Sequence, residues 1–161
     1  MRKKFETARA STEHILRLAR EAGRQLHILH VTTGEELPLI AANRDFATAE
    51  TTPQHLTFCA PECYERLGTY AQMNPPIRDA RHREALWKAV NEGIVDCVGS
   101  DHAPHTKEEK ARPYPRSPSG LTGVQTTVPL MLNHMANGKL TLDRLVDLLC
   151  AGPQRIYNTY P

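Results

Sequence analysis

The length and charge of the chain limit its class. With 161 residues it is long enough for one domain with a buried core. Its 20 basic and 18 acidic residues give a net charge of +2, which predicts binding neither to nucleic acid nor to an anionic membrane. We recognise no apolar stretch as long as a membrane span and no signal peptide at the polar start, so a cytoplasmic protein is expected.

The predicted elements alternate between helices and strands. In chain order they are a helix over 11–22, a strand over 25–31, a helix over 33–42, a strand over 46–51, a helix over 59–67, a weak strand over 70–73, a helix over 79–93 and a strand over 94–99. Thr33 and Glu36 have the spacing of a capping box, although Pro38 favours a start one or two residues later. Such alternation predicts a parallel sheet with both faces covered.

The rest of the chain is predicted to hold a long loop and more helices. Segment 102–120 contains four prolines and several basic residues without periodicity, which is typical of a functional loop or lid. Helices are predicted over 121–137 and 141–150, with a last helical turn after Gly152 and Pro153. The four cysteines form no Cys-x-x-Cys pair, so we expect free thiols.

Polar side chains gather at the carboxyl ends of the predicted strands, where parallel α/β folds bind ligands. This layout predicts an α/β fold that is a partial (β/α)8 barrel, with about four parallel strands and flanking helices. A complete barrel needs about 250 residues. The domain prediction is therefore one partial barrel domain over residues 1–161.

Three strand ends carry candidate metal ligands. His30 ends the first strand, and from its spacing it is either a ligand or a core histidine. Pro53 ends the second strand, and either Gln54 or His55 can face a site there. Imidazole is the better zinc ligand, since a carboxamide is rare and weak. Asp101 follows the last strand, where a carboxylate can take a proton from a metal-bound water.

Other polar groups near these strand ends are suited to a substrate. Asn74, before two prolines, offers an amide donor and acceptor, although a turn-forming role is the alternative. His105 lies beside a loop that carries Lys107, Lys110, Arg112 and Arg116, and this basic rim suits a substrate with carboxylates. In the segment from Pro118 to Gly120, glycine permits close approach of a ligand to the backbone.

The pattern resembles the type I dihydroorotases of the amidohydrolase superfamily over nearly the whole chain. The matching segments are Leu29–Thr33, Glu50–Leu56, Met73–Arg78, Gly99–Thr106, the surroundings of Glu108 and Lys110, and Pro118–Gly120. Asn-Pro-Pro-Ile-Arg followed by Ser-Asp-His-Ala-Pro-His is a specific combination. Hydantoinases and allantoinases share the strand-end His and Asp but less of these two segments.

The resemblance implies a zinc hydrolase with one or two ions, which interconverts dihydroorotate and N-carbamoyl-aspartate in pyrimidine biosynthesis. It implies that His30 and Asp101 bind metal and that Asp101 carries the proton. It further implies that Asn74, His105 and the backbone from Pro118 to Gly120 hold the substrate.

Two departures from the family pattern alter this expectation. The His-x-His pair of the first barrel strand, the bridging residue of the fourth strand and the C-terminal sandwich segment are not found in the chain. We therefore expect the second half of a barrel, inactive or nearly so when isolated. Gln54 also stands at a usual ligand position, so either His55 replaces it as a tentative ligand or that metal position is weakened.

Three functions remain open at this point. The first is a dihydroorotase that is a homo-oligomer at full length. The second, suggested by Gln54, is a non-catalytic dihydroorotase-like partner of aspartate transcarbamoylase. The third is a hydantoinase or allantoinase, which differs only in the cyclic amide that it opens.

Overall fold

The structure, a computed structural model, describes the backbone of residues 3–159 and the side chains of residues 5–159. Its helices and strands, in chain order, are α1 (Lys3–Glu21), β1 (Leu26–Ile28), α2 (Leu37–Ala41), β2 (Ala47–Thr51), α3 (Pro53–Thr57), α4 (Glu62–Leu67), α5 (Ala80–Asn91), β3 (Cys97–Val98), α6 (Lys107–Lys110), α7 (Val124–Ala136), α8 (Leu142–Val146) and α9 (Gly152–Tyr157). A 3-10 turn over Gly68–Ala71 follows α4, and a π-helical turn over Asp147–Ala151 joins α8 to α9.

The three strands form one parallel sheet in the order β1-β2-β3. Parallel neighbours joined through helices are the unit from which (β/α)8 barrels are built. The α/β class and the partial parallel sheet with flanking helices are thus confirmed. The predicted number of strands is wrong, because the described residues contain three strands rather than four.

The missing strand is the one predicted over Tyr70–Met73. Tyr70 and Ala71 instead end the 3-10 turn that follows α4, in which Gly68 turns the backbone at φ +54°, and Gln72 and Met73 lie beyond it without regular structure. The apolar residues Ala71 and Met73 are buried against Cys63 and Ile77, so a local cluster satisfies them without a strand partner. Alternating polarity alone does not distinguish the two arrangements.

One face of the sheet packs against helices. Ala49 of β2 is buried with Ile40 of α2 and with Leu86 and Val90 of α5. Ala47 is buried against Leu16 and Ala19 of α1 in a second cluster. Because side chains alternate along a strand, Thr48 and Glu50 face the opposite side of the sheet.

Several helix ends differ from prediction for local reasons. Helix α1 begins at Lys3 rather than at residue 11, since its first turns are polar and lack the apolar spacing on which the prediction relied. Glu36 accepts hydrogen bonds from the backbone N and the Oγ1 of Thr33, which is half of the predicted capping box, and α2 begins only at Leu37 with Pro38 in its first turn. The predicted loop 102–120 contains the short helix α6, which the Thr106–Glu109 capping box starts.

No helix of the described residues combines the length and the apolar character needed to cross a membrane. The four cysteines are free thiols, as predicted.

Arg144 of α8 connects that helix to the core. Its guanidinium donates to the carbonyl oxygen of Val90 at 2.7 Å, to that of Val95, and to the Asp147 carboxylate.

Replacing Arg144 with Ala leaves both carbonyl oxygens without this donor, and we expect urea unfolding to show a loss of about 2–4 kcal/mol in the free energy of unfolding. The matched control is Arg155→Ala, because exposed Arg155 also contacts Asp147. That variant should lose less than about 1 kcal/mol, and an equal loss in the two variants would contradict the role assigned to Arg144.

Candidate functional site

The parallel sheet brings the carboxyl ends of its strands to one edge, and His30 and Asp101 lie just beyond two of these ends. His30 follows β1 and Asp101 follows β3. Both residues adopt positive φ, at +37° and +44°, a conformation that is uncommon for residues other than glycine. Such strain is frequent at functional sites, where the surrounding fold maintains it.

The side chains of His30 and Asp101 are half-buried, and their polar atoms are available to a ligand. Neither forms a side-chain hydrogen bond or ion pair with any residue that the structure describes. An imidazole and a carboxylate are the side chains that zinc accepts alongside thiolates. The sequence predicted their positions at the strand ends, but it did not predict the strained backbone.

His55 lies beyond the end of β2 and is almost fully buried. Its Nε2 is 3.0 Å from the carbonyl oxygen of Pro75, so Nε2 carries the proton and donates. Its Nδ1 therefore accepts from the Thr52 hydroxyl, 2.8 Å away. Burial lowers the pKa of His55 to about 4, and the nearby His30 also contributes to this lowering. Both ring nitrogens of His55 are thus engaged in this structure, and its tentative role as a metal ligand stays a prediction.

The pKa of His55 predicts a pH dependence of stability. Below its ordinary pKa of 6.5 the unfolded chain takes up a proton that folded His55 accepts only near pH 4. The contribution of His55 to the free energy of unfolding is therefore fully present above about pH 6.5. It falls by about 3 kcal/mol as the pH drops toward 4. Urea unfolding at pH 7 and at pH 4.5 measures the loss.

The control for that measurement is His55→Gln, which keeps an amide donor and acceptor but has no titrating group. Burial also lowers the pKa of His82 and of His134, so the variant should retain part of the pH dependence. A variant with an unchanged slope would remove His55 as a source of the acid sensitivity.

Gln54 occupies the position where the family pattern has a ligand. Its side chain is buried, and its Nε2 donates to the carbonyl oxygens of Ser100 at 3.1 Å and Thr122 at 3.3 Å. Its Oε1 is buried without a hydrogen-bond partner in the described residues. Gln54 therefore connects the end of β2 to the residue before Asp101 and presents one unsatisfied oxygen.

The segments of Asn74 and of Pro118–Gly120 meet at Gln72. Its Nε2 donates to the carbonyl oxygen of Ser117 and to the Ser119 hydroxyl, and its carbonyl oxygen accepts from the backbone N of Gly120 at 3.0 Å. Exposed Asn74 and Ser119 line one cleft of about 970 Å³. The structure thus places two of the predicted substrate segments together.

Gly120 and His105 lie close together in space, near the two ends of the segment 102–120. The His105 Nε2 is 3.3 Å from the carbonyl oxygen of Ser119. A Cβ at Gly120 would lie 2.7 Å from Ala103 and 3.0 Å from the His105 Nε2, and the φ of Gly120 is +150°. Only glycine fits this position.

Lys110 corrects one expectation about the basic rim. It is buried rather than exposed, and its Nζ donates to the carbonyl oxygens of Gln72 at 2.7 Å, Pro118 at 3.0 Å and Gly120 at 3.0 Å. Loss of hydration lowers the pKa of its ammonium. Lys110 therefore holds the loop against the Gln72 segment and is not part of a positively charged rim.

Arg78 is a candidate that the sequence pattern did not predict. Its guanidinium is half-buried, lines the same cleft as Asn74, and donates through Nε to the Thr32 hydroxyl at 3.3 Å. Burial lowers its pKa, and it forms no ion pair with an acidic side chain among residues 5–159. The carboxylates of Glu36, Asp79 and Glu35 act on its charge without forming an ion pair with it. A partly desolvated guanidinium that forms no ion pair is suited to an anionic ligand. Its only sequence signal was its place at the end of Asn-Pro-Pro-Ile-Arg.

The residues present fit part of a metal centre. His30 and Asp101 supply two suitable donors and Gln54 an unsatisfied oxygen, whereas catalytic zinc sites use three protein ligands. In the described part of the chain, one cluster of three His, Cys, Asp or Glu side chains has ligand atoms close enough to share an ion, and it contains none of these residues. Neither His30, Asp101 nor His105 lines the 970 Å³ cleft.

Comparisons with known proteins relate the chain to cyclic amidohydrolases. It is 40% identical over 152 residues to the dihydroorotase of Halobacterium salinarum, a match that covers 94% of this chain and 35% of the relative. A dihydroorotase of Staphylococcus aureus is also 40% identical, over 88% of this chain and 34% of the relative. The chain thus spans about a third of the length of these relatives. No protein-family model matches it.

Solved structures agree with the fold. The L-hydantoinase of Arthrobacter aurescens superimposes with a TM-score of 0.88 at 32% identity, over 95% of this chain and 35% of that chain. The inactive dihydroorotase-like domain of a Chaetomium thermophilum CAD-like protein superimposes with a TM-score of 0.68 at 21% identity, over 91% of this chain and 41% of that chain. The second likeness supports the fold alone.

Proposed function

We propose that the chain forms the C-terminal half of a zinc-dependent dihydroorotase barrel. The basis is its similarity to the cyclic amidohydrolases, which include dihydroorotases and hydantoinases. In this proposal residues 1–161 are one partial barrel domain. The observation that carries it is the pair His30 and Asp101, two unpartnered side chains with strained backbones at the carboxyl ends of parallel strands.

His30 and Asp101 would hold the metal, with one lone pair from the imidazole and one carboxylate oxygen. Bound zinc supplies a hydroxide near neutral pH and polarises an amide carbonyl. Asp101 would accept the proton released in the attack on the ring amide and return it to the leaving nitrogen.

The substrate would bind through the cleft and the adjacent loop. Dihydroorotate carries a carboxylate and ring amides, and Arg78 and Asn74 in the cleft provide groups that complement both. His105 would add a donor, and Gly120 would let the backbone from Pro118 onward approach the ring. Lys110 would support this arrangement through its three carbonyl contacts without touching the substrate.

The isolated chain should not complete the reaction. It provides two metal ligands and an amide oxygen where a catalytic zinc takes three protein ligands. In this proposal the remaining ligands lie in the two thirds of the relatives that the chain does not span.

Gln54 supports a second candidate, a non-catalytic dihydroorotase-like subunit that assembles with aspartate transcarbamoylase. Its side-chain amide donates hydrogen bonds to the carbonyl oxygens of Ser100 and Thr122. Gln54 therefore has a structural role at a position suited to a metal ligand. The free side chains of His30 and Asp101 favour the enzyme, since a purely structural subunit does not need them.

The 32% identity to an L-hydantoinase supports a third candidate with the same chemistry and a different cyclic amide. The Arg78 guanidinium favours dihydroorotate over hydantoin or allantoin, because only dihydroorotate among these rings carries a carboxylate.

The test is turnover of dihydroorotate, hydantoin and allantoin with added zinc. It compares the chain alone with a chimera in which the chain replaces the matching third of its 40%-identical archaeal relative. We expect no turnover by the chain alone and a chimera that prefers dihydroorotate. Strong turnover by the chain alone would contradict the incomplete site, a folded but inactive chimera would favour the structural subunit, and preference for hydantoin or allantoin would favour the third candidate.

A further inference from the structure

Three ligand-type side chains meet on the face of the sheet opposite the helices. They are His27 of β1, Glu50 of β2 and Cys97 of β3, one from each neighbouring strand. Alternation along the strands separates them from the helix-facing residues Ala49 and Val98. The proposed catalytic chemistry uses none of the three.

The distances in this cluster match those around a single ion. The His27 Nε2 is 3.3 Å from the Glu50 Oε2, and the Cys97 Sγ is 3.9 Å from each of these two atoms. With zinc bonds of about 2.0–2.3 Å, ligand atoms at tetrahedral angles lie roughly 3.3–3.6 Å apart. A shift of the thiol by a few tenths of an ångström would complete three of the four positions.

The surroundings orient these groups toward one another. The His27 Nδ1 is 2.8 Å from the Thr48 hydroxyl, a contact that directs Nε2 toward Glu50, as partners of metal-bound histidines do. A Cβ at Gly99 would lie 2.5 Å from a Glu50 carboxylate oxygen, so the glycine makes room for this carboxylate. The ring of Tyr157 packs edge-on against His27 at 5.6 Å.

The donor set indicates the class of ion. A buried sulfur with an imidazole and one carboxylate selects a borderline-soft transition metal rather than magnesium or calcium, which prefer oxygen ligands. The side chains of His27 and Glu50 are each 13% exposed, so a solvent molecule can take a fourth position.

We propose that His27, Glu50 and Cys97 bind one divalent transition-metal ion of the Zn²⁺ or Co²⁺ type, at a site separate from the strand-end residues His30 and Asp101. Binding replaces the thiol proton of Cys97 with a sulfur–metal bond and releases that proton to solvent. The proposal does not depend on the dihydroorotase assignment.

Titration of the reduced chain with Co²⁺ tests this site, because a thiolate ligand produces a sulfur-to-cobalt charge-transfer band. His30 and Asp101 have no sulfur and cannot produce it. We expect the band in the unmodified chain and in Cys150→Ser and Cys59→Ser, which remove an exposed and a half-buried thiol, and we expect its loss in Cys97→Ser. Zn²⁺ should displace the band.

A second variant keeps the test decisive if Cys97→Ser does not fold, as judged by circular dichroism. His27→Gln should retain the thiol and weaken Co²⁺ binding by at least about tenfold, since even partners of metal ligands carry effects of this size. No band in the unmodified chain, a band that survives Cys97→Ser, or unchanged affinity in folded His27→Gln would each overturn the proposal.

Discussion

Replacing Gln54 with His is expected to raise the affinity of the strand-end site for zinc by at least about tenfold. The new imidazole would join His30 and Asp101 as a third donor, at the position where a buried amide now leaves its Oε1 unsatisfied. The substitution also removes the Nε2 bonds to Ser100 and Thr122, at a cost of about 1–2 kcal/mol of folding stability.

Calorimetric titration with zinc measures this gain, and it should be done in the Cys97→Ser background so that the cluster of His27, Glu50 and Cys97 does not contribute heat. Gln54→Ala is the matched control, because it removes the same hydrogen bonds without adding a donor. If Gln54→Ala gained affinity equally, or if the histidine variant gained none, Gln54 would not lie at a metal position.

Replacing Asp101 with Asn in the active chimera is expected to lower kcat for dihydroorotate by at least about 10³-fold. The amide can neither accept the proton of the attacking hydroxide nor supply the negative charge of a metal ligand. Circular dichroism should show an unchanged fold, since the Asp101 side chain makes no hydrogen bond within the described residues.

Steady-state kinetics measures that loss, with Asp143→Asn as the control. Asp143 is an exposed carboxylate in the first turn of α8, so its loss should leave kcat within about twofold. Near-normal turnover by the Asp101 variant would assign the proton transfer to another residue.

Local signals account for the parts of the fold that could be predicted. The Asp79 carboxylate accepts from the backbone N of Arg81 at the start of α5, and Gly93 follows that helix at φ +75°, as the sequence indicated. Thr141 starts α8 in the same way. Each of these contacts joins residues only a few positions apart, so a short window of sequence contains all the information.

Long-range contacts account for what could not be predicted. Lys110 is a basic residue in a polar loop, and its burial depends on carbonyl oxygens from two separate segments. The Nε2 of His55 is occupied by a hydrogen bond to the carbonyl oxygen of Pro75, twenty positions along the chain, so in this structure it is not available to a metal. Arg78 becomes notable only because no acidic side chain of the described residues pairs with it.

The most direct test of the proposed strand-end metal site is an anomalous-difference map at the zinc edge, from crystals of Gln54→His grown with zinc. We expect one peak within about 2.2 Å of the His30 imidazole, the Asp101 carboxylate and the introduced imidazole together. Side chains of His30 and Asp101 that point to different sides of the sheet, or a strand-end peak that contacts only one of them, would contradict the convergence on which the proposed function depends.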